Sequence, residues 1–168
     1  TSELSEREIV HNWFQFNAEI EKYYSAKFGS FGFSLNAKAS NLKAFSNYRG
    51  TLLNTPAYSP TFESRGLYLQ NFRAPLYMAG GVKYQIPIYK DFHFRAEGHA
   101  FKPLMLWQDN NGDLIRSGLV PDYFLSGMAA VFYKSPIGPI SISGHYYEDQ
   151  TPFLLLFNIG YLMFNNRP

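Results

Sequence analysis

The sequence predicts an all-β chain, an antiparallel transmembrane β-barrel portion of about seven strands, and three observations predict it. Residues 153–164, Phe-Leu-Leu-Leu-Phe-Asn-Ile-Gly-Tyr-Leu-Met-Phe, place an apolar and aromatic strand almost at the end of the chain. Read with period two, Phe153, Leu155, Phe157, Ile159, Tyr161 and Met163 make one unbroken apolar face, over a length that can cross a membrane as a strand. Aromatic residues make up 18% of the chain, with 13 Tyr, 16 Phe and 2 Trp, yet the mean hydropathy is only −0.23. Alternation reconciles the two figures, because a transmembrane barrel keeps about half its residues polar. Finally, short connections at 25–30, 89–91 and 134–139 alternate with longer ones at 41–74, 107–121 and 148–152, the asymmetry of barrels with short periplasmic turns and long outer loops.

The organisation expected is a polar lead-in over 1–10, a barrel portion over 11–164 and a tail over 165–168 on the periplasmic side. The first strand is expected near 11–21, where Phe14, Phe16, Ala18 and Ile20 alternate with Trp13, Gln15, Asn17 and Glu19. The second, over 31–40, sets Phe31, Phe33, Leu35, Ala37 and Ala39 against small polar groups. An irregular stretch follows over 41–74, read as a long extracellular or lumen loop. The third strand, over 76–89, alternates Val82, Tyr84, Ile86 and Ile88 with Lys83, Gln85 and Pro87. The fourth, over 92–106, opposes Phe92, Phe94, Ala96, Gly98 and Ala100 to His93, Arg95, Glu97, His99 and Phe101. Charged and imidazole groups in a row cannot sit in a dry core without partners, whereas a hydrated lumen accepts them. Strands over 122–133, 140–147 and 153–164 complete the set, and no helix is expected beyond a turn within 2–10.

Several function classes drop out. No apolar run reaches the ~18 residues of a helical span. The net charge of +2 is interleaved, so no nucleic-acid partner is expected. The chain has no cysteine, which rules out disulfides and thiolate metal sites. The Asp109–Asp113 cluster has part of a calcium-loop spacing, but Val120 stands where the twelfth-position glutamate belongs, so it reads as a solvated turn and no metal or other cofactor is expected. No signal peptide or initiating Met opens the sequence, which for an exported protein suggests a mature form or a fragment.

Six stretches carry a resemblance. Ser-Arg-Gly-Leu-Tyr-Leu (64–69) resembles the loop motif of the bacterial surface-antigen superfamily of outer-membrane barrels, and Phe-Asn-Ile-Gly (157–160) resembles the end of its last strand. Tyr-Ser-Pro-Thr-Phe-Glu-Ser (58–64) with Asn-Phe-Arg-Ala (71–74), and Arg-Ala-Glu-Gly (95–98) with Ser-Pro-Ile-Gly-Pro (135–139), resemble the C-terminal barrel of patatin-like phospholipases of Bacteroidetes-type bacteria. That resemblance implies the C-terminal part of a sixteen-stranded barrel in the outer membrane of a Gram-negative bacterium, serving as membrane anchor or translocation segment behind a periplasmic lipid hydrolase. It implies as partners outer-membrane lipid, the barrel assembly machinery, the remaining strands and an upstream periplasmic domain, with a homodimer left open. The motif departs at Ser64 and Leu67, and no Gly-x-Ser-x-Gly elbow occurs, so no catalytic residue is assigned to this chain.

The resemblance further implies that Arg65, with Gly66, folds into the lumen and is anchored by Glu97, next but one to Arg95. Phe157, Asn158, Gly160 and Phe164 would form the terminal-strand targeting signal. Two alternatives stand beside this reading. One is a self-contained pore or transporter of polypeptide or lipid, with Arg65 lining its path. The other is an enzyme built from the barrel wall itself, using His93, His99, His145 and the Ser141/Ser143 face. The first and last strands are expected to be open edges, and an eighth strand from residues 47–55 would be the route to closure within this chain.

Overall fold

The computed structural model describes residues 13–43, 48–110, 113–118, 120–136, 138–149 and 152–160. Seven strands form one antiparallel sheet in the order β1 (Gln15–Ala26), β2 (Gly29–Ser40), β3 (Leu76–Tyr89), β4 (Phe92–Met105), β7 (Phe124–Ser135), β8 (Gly138–Tyr147) and β9 (Phe153–Ile159). A separate ribbon pairs β5 (Trp107–Asn110) with β6 (Asp113–Arg116) antiparallel where a solvated turn over 109–113 is expected, and residues 111 and 112 lie outside the described residues. Among the described residues β1 and β9 are the sheet's two edges, and the sheet is not closed. The expected first strand begins later and runs on to Ala26, because the reversal is set further along: Gly29 takes φ 151. A Cβ there would come within 2.5 Å of the Gln85 carbonyl oxygen, which makes glycine necessary at that corner. Residues 1–12 and 161–168, with Tyr161 and Phe164, lie outside the described residues.

The stretch 41–74, read from sequence as irregular, contains a helix α1 (Tyr48–Asn54) and a 3-10 turn (Glu63–Gly66). The helix occupies the segment that would have supplied an eighth strand. Pro56 follows it and cannot continue the helix. The Arg73 guanidinium donates from Nη1 to the carbonyl oxygens of Leu52, Leu53 and Thr55 at 3.3, 3.0 and 3.2 Å. A cation at this end satisfies carbonyls that have no partner within the helix. The stretch then pairs back on itself, Tyr58 N–H donating to the Phe72 carbonyl at 2.8 Å and Ala74 N–H to the Pro56 carbonyl at 3.1 Å.

Period two divides the sheet cleanly. On one face Phe16, Ile20, Leu35, Val82, Tyr84, Phe92, Ile142, Phe153 and Phe157 are all exposed. Register brings them together across strands: Ile142 lies opposite Phe157 and Tyr146 opposite Phe153. Phe92 stacks on Tyr133 at 4.7 Å between centroids. Between these aromatic groups the same face is lined by small residues, Ala96 opposite Ala129 and Gly98 opposite Gly127. The other face carries the imidazoles, carboxylates and hydroxyls, and it is the face that the 41–74 loop covers.

The molecule's core therefore lies between the loop and the inner wall. Leu69, Phe72 and Ala74 from the loop pack against Tyr77 on β3, Phe101 on β4 and Tyr147 on β8. Phe72 is fully buried, 5.5 Å from Phe101 and 6.4 Å from Tyr147 between ring centroids. Burying an aromatic side chain of this size stabilises by roughly 1.5–3 kcal/mol before the entropy of ordering the loop is counted.

Candidate functional site

The charged centre of the inner wall is built by register. Lys83 on β3 stands opposite Glu97 on β4 and opposite Gly32 on β2. Because Gly32 has no side chain, the Tyr23 ring lies over β2 at this point, and a Cβ on Gly32 would fall 2.6 Å from it. Lys83 Nζ reaches across to Glu21 Oε1 at 2.5 Å, and Tyr23 donates its hydroxyl to the same oxygen at 2.6 Å. Glu97, whose side chain is wholly buried, is held by Arg95 through Nε and Nη2 and by His99 Nε2 at 3.1 Å. Paired, charge-assisted bonds of this kind are what let a buried carboxylate stay on a sheet wall.

Two chains of hydrogen bonds run from this wall into the loop. A carboxylate only accepts, so His99 Nε2 carries the hydrogen given to Glu97, and the ring's Nδ1 meets the Tyr58 hydroxyl at 3.1 Å. Burial, reinforced by Tyr77 and Glu97, pushes the Tyr58 hydroxyl far above the ordinary phenol range, so it remains a donor. The second chain joins Thr61 Oγ1 to the Tyr147 hydroxyl at 3.2 Å, Tyr147 to His145 Nδ1 at 3.1 Å and His145 Nε2 to Ser143 Oγ at 2.9 Å. Thr61 is itself fixed by Ser64, whose hydroxyl donates to the Thr61 carbonyl at 2.7 Å.

His99 can lie where it does because Gly81 faces it across the strands. A Cβ on Gly81 would fall 2.2 Å from His99 Nδ1. We expect Gly81→Ala to drive the imidazole off both Glu97 and Tyr58, costing about 1–3 kcal/mol as overpacking does. Hydrogen exchange should quicken over 57–74 and stay unchanged in β8 and β9. Unchanged protection in the loop would show that His99 does not hold it.

Arg65 is expected to meet Glu97, and among the described residues no ion pair joins the two. Its guanidinium is exposed and lies 5.2 Å from the Phe62 ring centroid, while the ion pairs of Glu97 are with Arg95 and His99. Arg65 and Glu97 both line one cleft of about 460 Å³ between the loop and β1, β2, β3 and β4. A Cβ on Gly66 would meet nothing within 4 Å. Of the terminal-strand residues, Phe157 faces outward, Asn158 lies opposite Ser141 on the inner face, and Gly160 takes φ 117 and donates its N–H to the Pro139 carbonyl at 3.0 Å. Ser143 and His145 have the spacing of a nucleophile and base, but they are 2% and 0% exposed, and a tyrosine orients the imidazole where a hydrolase triad uses a carboxylate.

The residues that fasten the loop, Tyr58, Thr61, Phe72 and Arg73, carried a visible signal only in part. Tyr77, Phe101 and Tyr147 are large aromatics on a wall otherwise made of small and polar groups, and such residues need something apolar laid over them. The arrangement defines a class: a one-sided antiparallel sheet, apolar outside and polar inside, whose long loop is packed and hydrogen-bonded onto the inner wall. No family model matches the chain, and no curated protein or solved structure matches it.

Proposed function

We propose that this chain is part of an outer-membrane β-barrel, acting as the membrane anchor or translocation segment of a patatin-like phospholipase-type protein. The observation that carries the membrane reading is the inversion of the sheet: Phe153, Leu155 and Phe157 are 75%, 76% and 62% exposed, whereas His99, His145 and Glu97 are 4%, 0% and 5% exposed. Water would favour the opposite arrangement, and hydrocarbon around the sheet favours this one. The open edges of β1 and β9 support a barrel completed by further strands, since unpaired backbone groups cannot face lipid. The phospholipase part rests on the motif resemblance. Two of the motifs also have a physical task here: Asn71 ties the loop to Glu148 and Asp149, Phe72 fills the core, Arg73 caps α1 and Arg95 pairs with Glu97.

The packed loop weighs against an open pore, because its residues occupy the inner wall. In this role the chain brings membrane, outer strands and any periplasmic domain into one body, and its own wall performs no hydrolysis. Neighbouring residues on β9 supply the test. Phe157→Lys is expected to cost about 2–4 kcal/mol of folding stability in bilayers, as a cation on a lipid-facing position does, whereas Asn158→Lys on the inner face should cost under about 1 kcal/mol. Equal costs, or tolerance of lysine at 157, would overturn the membrane reading.

A further inference from the structure

We infer that the short-turn end of the inner wall is a binding site for the phosphate of an anionic lipid headgroup, with the acyl chain laid across the inner faces of β7 and β9. The inference rests on the barrel reading above and names a ligand for its lumen. Arg95 and His93 stand two apart on the inner face of β4. Phe132 on β7 lies opposite His93 in register, and Lys134 follows two residues on, so all four project to one side of the sheet. Together with Gln85 they line a cleft of about 230 Å³.

Part of the charge at this cleft is unspent. Arg95 uses Nε and Nη2 on Glu97 and has Nη1 over. His93 and the Lys134 ammonium enter no ion pair among the described residues. The neighbours of the cleft along each register row are Gln85, Ala130 and Ser143 on one side and Pro87, Ser141 and Asn158 on the other, none of them acidic. Asp91, in the adjoining turn, is exposed, and its carbonyl oxygen accepts from the Lys134 backbone. Glu97, bonded to Arg95, is the acid beside the cleft, while Glu19 and Glu21 lie further towards the loop end, so a phosphate is drawn to the side of His93 and Lys134, away from Glu97. A guanidinium, an imidazole and an ammonium converging on one cleft are suited to phosphate oxygens.

Apolar groups beside this charge point to an amphiphile in preference to a free anion. Phe132 forms one wall of the cleft, and the adjoining register row runs from the buried Ala130 through Ser143 on β8 to Leu156 on β9, with Leu154 next inward on that strand. Leu154 and Leu156 are successive inward positions on β9 and are half-buried. Up to Phe157, β9 is thus apolar on both faces, with Asn158 the next inward residue, and the lipid outside explains Phe153, Leu155 and Phe157 alone. A chain lying inside accounts for the leucines.

The test uses the full chain folded in non-ionic micelles, with titration of dihexanoyl phosphatidylglycerol below its micellar concentration, followed by calorimetry. Inorganic phosphate and dihexanoyl phosphatidylcholine serve as comparisons. The anionic lipid should bind at least about tenfold more tightly than either, and His93→Ala and Lys134→Gln should each weaken it about five- to twentyfold, the loss of one charge-assisted contact. Phe132→Ala should weaken the lipid and leave inorganic phosphate unchanged. Equal affinity for phosphate and lipid, or lipid binding indifferent to both His93→Ala and Lys134→Gln, would overturn the inference. Because the lysine scan at Phe157 and Asn158 reads the outer face independently, loss of lipid binding with that scan intact removes the site alone, while binding retained with the scan failed removes the membrane reading alone.

Discussion

Phe72→Ala is expected to have the largest effect of any single change in the loop, costing about 3–5 kcal/mol. Phe72 is fully buried and touches aromatic rings from three strands, Phe101, Phe124 and Tyr147. The vacancy cannot collapse readily, because Phe101 and Tyr147 are fixed to a sheet and Phe72 sits between Asn71 and Arg73, each tied elsewhere. The loop should therefore detach as a unit. Hydrogen exchange across 55–74 should rise towards that of an open chain while β3, β4 and β8 keep their protection. Denaturant unfolding of the remaining sheet should shift much less than loop protection does. A loss of protection spread evenly over loop and sheet would show that they fold as one cooperative body, contrary to this division.

Glu97→Ala is expected to cost about 3–5 kcal/mol, the range for removing one partner of a buried ion pair. Its carboxylate is the acceptor for both Arg95 and His99, with Lys83 opposite in register. Removal leaves cations facing one another with no counter-charge. It also frees His99 Nε2 and so loosens the ring that receives Tyr58. Equilibrium unfolding in detergent measures the first effect and loop exchange near Tyr58 the second. Glu97→Gln keeps an acceptor for one donor and should fall between the wild type and Glu97→Ala in both measurements. Stability equal to the wild type in Glu97→Ala would mean that water or another carboxylate replaces it.

The two faces of the sheet were legible in the sequence because a strand has period two and β2, β3, β4 and β8 keep it without interruption. Strand ends were less legible where hydrophobic alternation lapses before the true boundary, as at Lys22 to Ala26. The loop was opaque for a physical reason. Its helix is only about two turns long, is too short to show an amphipathic period, and depends on Arg73, some twenty residues away, for its last carbonyls. The site was half legible. Glu97, Arg95 and the inward imidazoles could be placed on one wall by alternation, but which loop residue meets them depends on how residues 55–74 fold back. Arg65 carries the charge and so drew attention, whereas Tyr58 and Thr61 make the contacts through hydroxyls, a chemistry that gives no sign of itself in a Ser- and Pro-rich stretch.

The odd strand count has a directional consequence. In an antiparallel meander of seven strands, β1 and β9 run the same way. They cannot therefore pair with each other antiparallel, however far the sheet curls. Two such sheets set around a common axis would meet at two parallel seams, for the same reason. An all-antiparallel cylinder containing this sheet needs an odd number of additional strands between β9 and β1, giving the even total found in bacterial single-chain barrels. Handedness of travel, more than affinity, thus selects what can lie against either edge: the first strand beside β1 and the first beside β9 must both descend where these two ascend.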